Sequence, residues 1–164
     1  LDSFSMMQLV MQLEESFGTK KYKNGKTYVG SFRAGKRQGM GRETRPDGGM
    51  YEGSYENDVK QGSGTITVPS VGARLTAEWF QGAPEGLVIF ELPGVVAMRG
   101  IYKNGRPQSG DAFWKYADGT LYAGGWKEGK RHGFGTLYAR DRTVLIQGQW
   151  LADQPAMARA TDQN

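Results

Sequence analysis

The sequence predicts an all-β chain built as an array of short hairpin repeats. One triplet, an apolar residue, a Gly and an aromatic spaced two apart, recurs through the 164 residues at nearly constant phase. Glycine is abundant, with 25 residues, roughly twice the usual ~7%. Aromatic residues make up 12%, and that separates a chain of many tight turns from a disordered one.

The triplets run in order as Tyr28-Gly30-Phe32, Tyr51-Gly53-Tyr55, a degenerate Leu75-Ala77-Trp79, Met98-Gly100-Tyr102, Tyr122-Gly124-Trp126 and Ile146-Gly148-Trp150. Successive first members are 23 or 24 residues apart. A spacing of two puts each triplet on one face of a strand. The central Gly leaves room for a neighbouring aromatic to lie over the backbone. Three residues after each aromatic stands a turn residue: Gly35, Asp58, Gly82, Gly105, Gly129 and Asp153. A Gly-x-Gly then opens a second strand at Gly39-Gly41, Gly62-Gly64 and Gly133-Gly135. Asn24-Gly25, Pro46-Asp47-Gly48 and Ala117-Asp118-Gly119 supply turns between hairpins. A lone hairpin is unstable in water, so the copies are expected to stack into one antiparallel sheet.

The runs YVGSFRAGKRQGMG (Tyr28 to Gly41) and YAGGWKEGKRHGFGT (Tyr122 to Thr136) resemble the MORN repeat, whose consensus reads roughly Y-x-G-x-W-x-x-G-K-x-x-G-x-G. The resemblance covers about residues 20–153. It implies an elongated, twisted array of hairpins with a groove, and a role as adaptor, scaffold or membrane-associated module. It fixes no single function, because such repeats also sit beside enzymatic domains.

Two copies depart from the pattern. Ala77 and Val88 replace repeat glycines in the third, and Ser109-Gly110-Asp111 replaces Gly-x-Gly in the fourth, with Pro107 in its turn. Leu87-Val88-Ile89-Phe90 lacks polar alternation, the mark of a strand covered on both faces. Val95, Val96, Met98 and Ile101 continue the trend. A single sheet cannot hide both faces, so a cover over Leu87, Ile89 and Phe90 is expected.

The N-terminal segment is one candidate for that cover. Ser5 and Gln8 fit a capping box, with Phe4 and Leu9 as a hydrophobic staple. Met6, Val10, Leu13 and Phe17 then form a helical stripe, with Gly18 as its stop. The spacing predicts a short amphipathic helix over 6–17 whose contact face either caps the sheet or binds another chain. The expected division is a helical segment at 1–18, a repeat array at 19–153 with about five repeats and a terminal half-repeat, and a tail at 154–164. Leu1 in place of Met suggests a fragment or processed chain.

The net charge of +4 is unevenly spread: residues 18–45 carry nine basic residues against Glu43 alone. Lys36, Arg37, Lys60, Arg106, Lys130 and Arg131 share one hairpin slot, so stacking would align them along an edge. That edge is read either as solvated and protective against sheet aggregation or as a site for anionic lipid headgroups. Nucleic acid is not expected, since the aromatics are already used for packing.

Catalytic chemistry finds little support. The chain has no Cys, and its one histidine, His132, falls where the MORN motif commonly has it. Zinc ligation and a nucleophilic triad both lack partners. Asp47, Asp58 and Asp118 are explained by turns. Gly39-Met40-Gly41 enters a strand rather than a helix, so it fails as a phosphate loop. No cofactor is expected. The leading expectation is a non-catalytic scaffold or adaptor that binds a partner segment, or a second copy, along an aromatic groove of Tyr28, Phe32, Tyr51, Tyr55, Trp79, Tyr102, Tyr122 and Trp126. A peripheral membrane module and an accessory domain of a larger enzyme are the alternatives. The expected setting is cytoplasmic, at the cytoskeleton or membrane periphery.

Overall fold

A computed structural model describes residues 2–3, 5–6, 15–94 and 96–156. The chain divides into two compact units, 1–97 and 98–164. The first holds β1 (Glu15–Lys21), β2 (Thr27–Arg33), β3 (Lys36–Thr44), β4 (Met50–Glu56), β5 (Val59–Val68), β6 (Ala73–Phe80) and β7 (Ala83–Leu92). The second holds β8 (Val96–Lys103, from Met98 on), β9 (Arg106–Lys115), β10 (Leu121–Lys127), β11 (Lys130–Tyr138), β12 (Val144–Leu151) and β13 (Gln154–Pro155). Within each unit every strand pairs antiparallel with the next in sequence, as expected of stacked hairpins.

Local chemistry explains the hairpins. Each tip is a pair of residues with positive φ: Ala34-Gly35, Asn57-Asp58, Gln81-Gly82, Asn104-Gly105, Glu128-Gly129 and Ala152-Asp153. Two such residues make the two-residue turn whose twist matches that of the flanking strands. Wider turns join one hairpin to the next. At Asp47, Asp118 and Asp141 a carboxylate accepts from the backbone N–H two residues on, at 2.9 Å each.

Behind each tip the second strand takes extra residues. Gly30 faces Gly41, yet Phe32 faces Arg37, and Gly39 absorbs the bulge at φ 77°. The same shift recurs between β4 and β5 and between β10 and β11. Repeat four solves it differently. There Gly110, not Ser109, takes the positive φ, and the position facing Gly124 falls to Ala112.

The registers align the repeat glycines into a ladder. In the first unit it runs Gly18, Gly30, Gly41, Gly53, Gly64, Ala77 and Val88 across seven strands. In the second it runs Ala112, Gly124, Gly135 and Gly148. A Cβ on Gly41 would enter the ring of Tyr28, and one on Gly64 or Gly135 the ring of Tyr51 or Tyr122. These glycines are required because a ring lies flat on them.

The helix expected over 6–17 is not supported. Phe17 lies in β1 and is 76% exposed, and Gly18 is a rung of the ladder rather than a helix stop. Near the start, a single turn is closed by Met6 N–H donating to the Asp2 carbonyl at 3.0 Å. Asp2 Oδ1, not the Ser5 side chain, accepts a backbone N–H there, from Ser5 at 2.7 Å. Met6 is 52% exposed; Val10, Leu13 and the rest of the proposed contact face lie outside the described residues. The helical spacing was outweighed by β1's pairing with β2 along its whole length, from Glu15–Arg33 to Lys21–Thr27. The expected double cover over repeat three is also not seen among the described residues. Val88 is buried, but Leu87 on the opposite face is 50% exposed.

The ladder makes a direct prediction. Gly135→Ala should destabilise the fold by about 1–3 kcal/mol through overpacking against Tyr122. Gly18→Ala should be nearly neutral, since its Cβ would meet only the Phe32 ring at an ordinary 3.8 Å. Urea unfolding of both variants measures the contrast.

Candidate functional site

The residues with recognisable chemistry gather on the ring face of each unit. In the first unit five rings interlock edge to face in the order Phe32, Tyr28, Tyr55, Tyr51, Trp79, with centroids 5.1–5.4 Å apart and planes at 79–87°. In the second, Trp126, Tyr122 and Trp150 do the same at 5.3–5.5 Å. Each such pair contributes roughly 0.5–1.5 kcal/mol beyond its burial. Apart from the Tyr55 hydroxyl, the polar atoms of these Tyr and Trp rings are tied to backbone. Tyr28 Oη donates to the Ser31 carbonyl at 2.9 Å, Tyr51 Oη to Ser54 at 3.1 Å and Tyr122 Oη to Gly125 at 3.1 Å. Trp79 and Trp150 donate Nε1–H to the ladder carbonyls of Gly64 and Gly135, at 3.2 and 3.1 Å.

The eight aromatics read from the sequence are therefore mostly interior. Tyr28, Tyr51, Tyr55, Trp79, Tyr102, Tyr122 and Trp126 are buried, and Phe32 is half-buried. What the ring face presents outward is a layer of cations. The Arg37 guanidinium carbon lies 4.6 Å from the centroid of Tyr55, 5.7 Å from Tyr28 and 5.8 Å from Tyr22. Arg131 repeats this over Trp150 at 4.3 Å, Tyr116 at 5.7 Å and Tyr122 at 5.8 Å. Lys60 Nζ sits 4.4 Å from the Tyr51 centroid and 5.2 Å from Trp79. Arg106 lies 5.3 Å from Trp114. The aligned basic slot thus divides. Arg37, Lys60 and Arg131 turn onto the rings, while Lys36 and Lys130, one position earlier, are exposed.

Each caged arginine is also held by an aspartate from the next hairpin tip. Asp58 Oδ1 accepts from Arg37 N at 2.8 Å and Nε at 3.3 Å, and Arg37 Nη2 donates to the Asp58 carbonyl at 2.6 Å. Asp153 treats Arg131 alike, at 2.9, 3.2 and 2.8 Å. Sequence reasoning took Asp58 for a turn residue alone and missed this role, although a signal was present. An Asp replaces the tip Gly only in the repeat that follows an Arg. Lys60 and Pro84 are followed by Gly82 and Gly105. Tyr22, Trp114, Tyr116 and Trp150 were likewise not singled out as site residues. Tyr22 and Tyr116 lie between hairpins, Trp114 in the second strand of repeat four and Trp150 in the last half-repeat, so three of the four stand outside the triplet.

Glu43 adds a second acid in the first unit. It is 8% exposed and pairs with Arg37 at 2.9 Å and Lys26 at 3.4 Å. Lys60 forms no ion pair among the described residues. Burial lowers its affinity for a proton, Glu43 offsets part of that, and Lys26, Arg37 and Arg45 act with burial. The apolar centre splits by strand alternation: Phe90 faces the ring side with Val88, and Leu87 and Ile89 face the other. His132 is half-buried in β11, beside Arg131. No group of three or more His, Cys, Asp or Glu able to hold a metal occurs among the described residues.

Two predictions come from this geometry. Tyr55 Oη is buried without a hydrogen-bond partner, so Tyr55→Phe should be neutral or stabilising by up to ~1 kcal/mol, whereas Tyr28→Phe should cost about 1 kcal/mol; thermal melts separate the two. Asp58 is the pH-sensitive link. Burial raises its pKa, but the N–H groups and charge of Arg37 outweigh that and hold it below its ordinary 3.8. A depressed folded pKa gives stability that is full above 3.8 and lost as pH falls through the folded value. Asp58→Asn should therefore melt below wild type at neutral pH, and the gap should close in strong acid.

Comparison with known proteins places these features. The MORN repeat family model matches residues 28–50, 51–70 and 122–144. No curated protein matches the chain. Among solved structures, the SAS-4 (dCPAP) TCP domain of Drosophila melanogaster, in complex with a proline-rich motif of Ana2 (dSTIL), is 17% identical. That match covers 81% of this chain and 84% of that one, with a TM-score of 0.36. MORN repeats are in general interaction modules and are not enzymes themselves. The three matches fall on the strands whose rings and glycines interlock, and these three segments of the chain are MORN repeats.

Proposed function

We propose that the chain is a non-catalytic scaffold or adaptor that takes an acidic helical or extended segment of another protein across its ring face. The observation that carries this reading is Lys60. It occupies the slot in which Arg37 and Arg131 each hold an aspartate, yet it has no such acid. Its ammonium lies over Tyr51 and Trp79 with Arg45 and Lys26 nearby. A partner carboxylate placed there would supply the missing counter-charge and form a charge-assisted hydrogen bond. The rings contribute by fixing the cations rather than by direct contact. Cation–π contacts are worth roughly 0.5–2 kcal/mol each, so the layer is pre-organised before a partner arrives.

A lipid-binding edge is less favoured. It would use six cations in one row, and four of them, Arg37, Lys60, Arg106 and Arg131, lie over rings.

Affinity capture from extract with the wild-type chain tests the proposal. The double variant Lys60→Met/Arg45→Glu should lose the captured partner while circular dichroism shows it folded, with a melting temperature lowered by the lost cation–π contacts, and Leu87→Asp on the opposite face should retain the partner. Capture unchanged in the double variant would discard the ring-face reading. In parallel, vesicles containing phosphatidylserine should not sediment the chain. Salt-sensitive sedimentation that is lost in Lys36→Glu/Lys130→Glu would favour the lipid edge instead.

A further inference from the structure

The two ends of the repeat array each carry half a repeat, and the halves are complementary. By phase, β1 is the second strand of a repeat, since Gly18 stands where Gly41, Gly64 and Gly135 stand in complete ones. The first-strand positions that would precede it are Ser5, Met7 and Leu9, which contain neither the Gly nor the aromatic. At the other end, β12 is a first strand, with Ile146-Gly148-Trp150. Among the described residues its second strand contributes Trp150–Pro155 and Leu151–Gln154, followed by Ala156 N–H donating to the Gln149 carbonyl at 2.7 Å. The positions that should continue it with Gly-x-Gly are Met157 and Arg159.

Among the described residues both halves are open along the ladder. Gly148 has φ 154°, like Gly124 at 155° in a complete repeat. A Cβ on Gly124 would run into Gly135 of the second strand, whereas a Cβ on Gly148 would meet nothing within 4 Å among the described residues. Gly18 carries no first-strand ring; a Cβ there would touch only Phe32. Val144, Leu145 and Ile146 are three consecutive apolar residues with 56, 53 and 37% exposure on a stretch that, among the described residues, pairs with β11 on one side only. Such an edge is a template for strand addition.

We infer that β12 of one molecule pairs with β1 of a second copy, joining two half-repeats into a complete one. The register of the intact repeats fixes the contacts. Gly30 faces Gly41, Val29 faces Arg42 and Tyr28 faces Glu43. Correspondingly Gly148 faces Gly18, Gln147 faces Thr19 and Ile146 faces Lys20. Ile146 then lies over Gly18 as Tyr28 lies over Gly41. The contact joins unlike surfaces, so it runs head to tail and leaves one donor and one acceptor end on every assembly. It uses the strand edges and is independent of any partner on the ring face.

Sedimentation velocity across a concentration series tests the inference on the whole chain. The wild type should move from 18.1 kDa toward multiples of that mass as concentration rises. Gly18→Val blocks the β1 end and Ile146→Arg the β12 end; each alone should lose the concentration dependence. Circular dichroism and melting should show both variants folded, because the Gly18 Cβ has room and Ile146 is exposed. Mixing the two variants should restore a species of twice the chain mass and nothing larger, since one intact end remains on each. A wild type that stays monomeric, variants that associate as well as wild type, or a mixture that remains monomeric would each overturn the inference.

Discussion

An aromatic ring lying flat on the Cα of a glycine in the neighbouring strand is the contact on which the rest of the structure depends. A single sheet has no second layer to bury its side chains against. Here the rings are turned parallel to the sheet and packed on each other, so that Tyr28 and Tyr122 are fully buried on a face without a second layer among the described residues. The cost is that the backbone beneath must be bare, and Gly41, Gly64 and Gly135 meet that condition. The hydroxyls of Tyr28, Tyr51 and Tyr122 and the indole N–H groups of Trp79 and Trp150 then reach carbonyls of their own and adjacent strands, which fixes the register as well as the packing.

The cation layer follows from the rings. A guanidinium over three aromatic faces is held by the ring quadrupoles, and an aspartate at the next tip locks it. Asp58 and Asp153 sit at positive φ, where Gly is easier, and their carboxylates offset that strain by accepting from Arg37 and Arg131. Successive hairpin tips are thereby tied together. Where the basic residue is Lys60 rather than Arg, the next tip keeps its Gly and the ammonium has no tip aspartate, with Glu43, itself paired with Arg37 and Lys26, acting on it only electrostatically. The same repeat chemistry thus yields two closed cages and one site with charge to offer.

The departures from the repeat have distinct consequences. Ala77 and Val88 continue the ladder with small or medium side chains because Leu75 in place of Tyr brings no ring to lie over them. Repeat four shifts its bulge by one residue, moving the strained position to Gly110 and the rung to Ala112, a change that a count of glycines alone does not reveal. Towards both ends Gly18 and Gly148 keep the geometry of a rung with a neighbouring strand on one side only among the described residues.

The sequence by itself determined the repeat, its strand order and its turns, because spacing of two, paired turn residues and glycine phase are local properties that no tertiary context overrides. It also contained the Arg-to-Asp linkage, as a correlation between successive repeats. Three things were decided only by the tertiary structure. Residues 15–17, which have helical spacing, became strand because β2 offers them a pairing edge in register. The aromatic row became interior rather than a lining, since whether a ring stands up or lies down depends on the neighbouring strand's glycine and not on its own segment. The basic slot split into caged and exposed cations because alternation along a strand sends Lys36 and Arg37 to opposite faces, and only one face carries the rings.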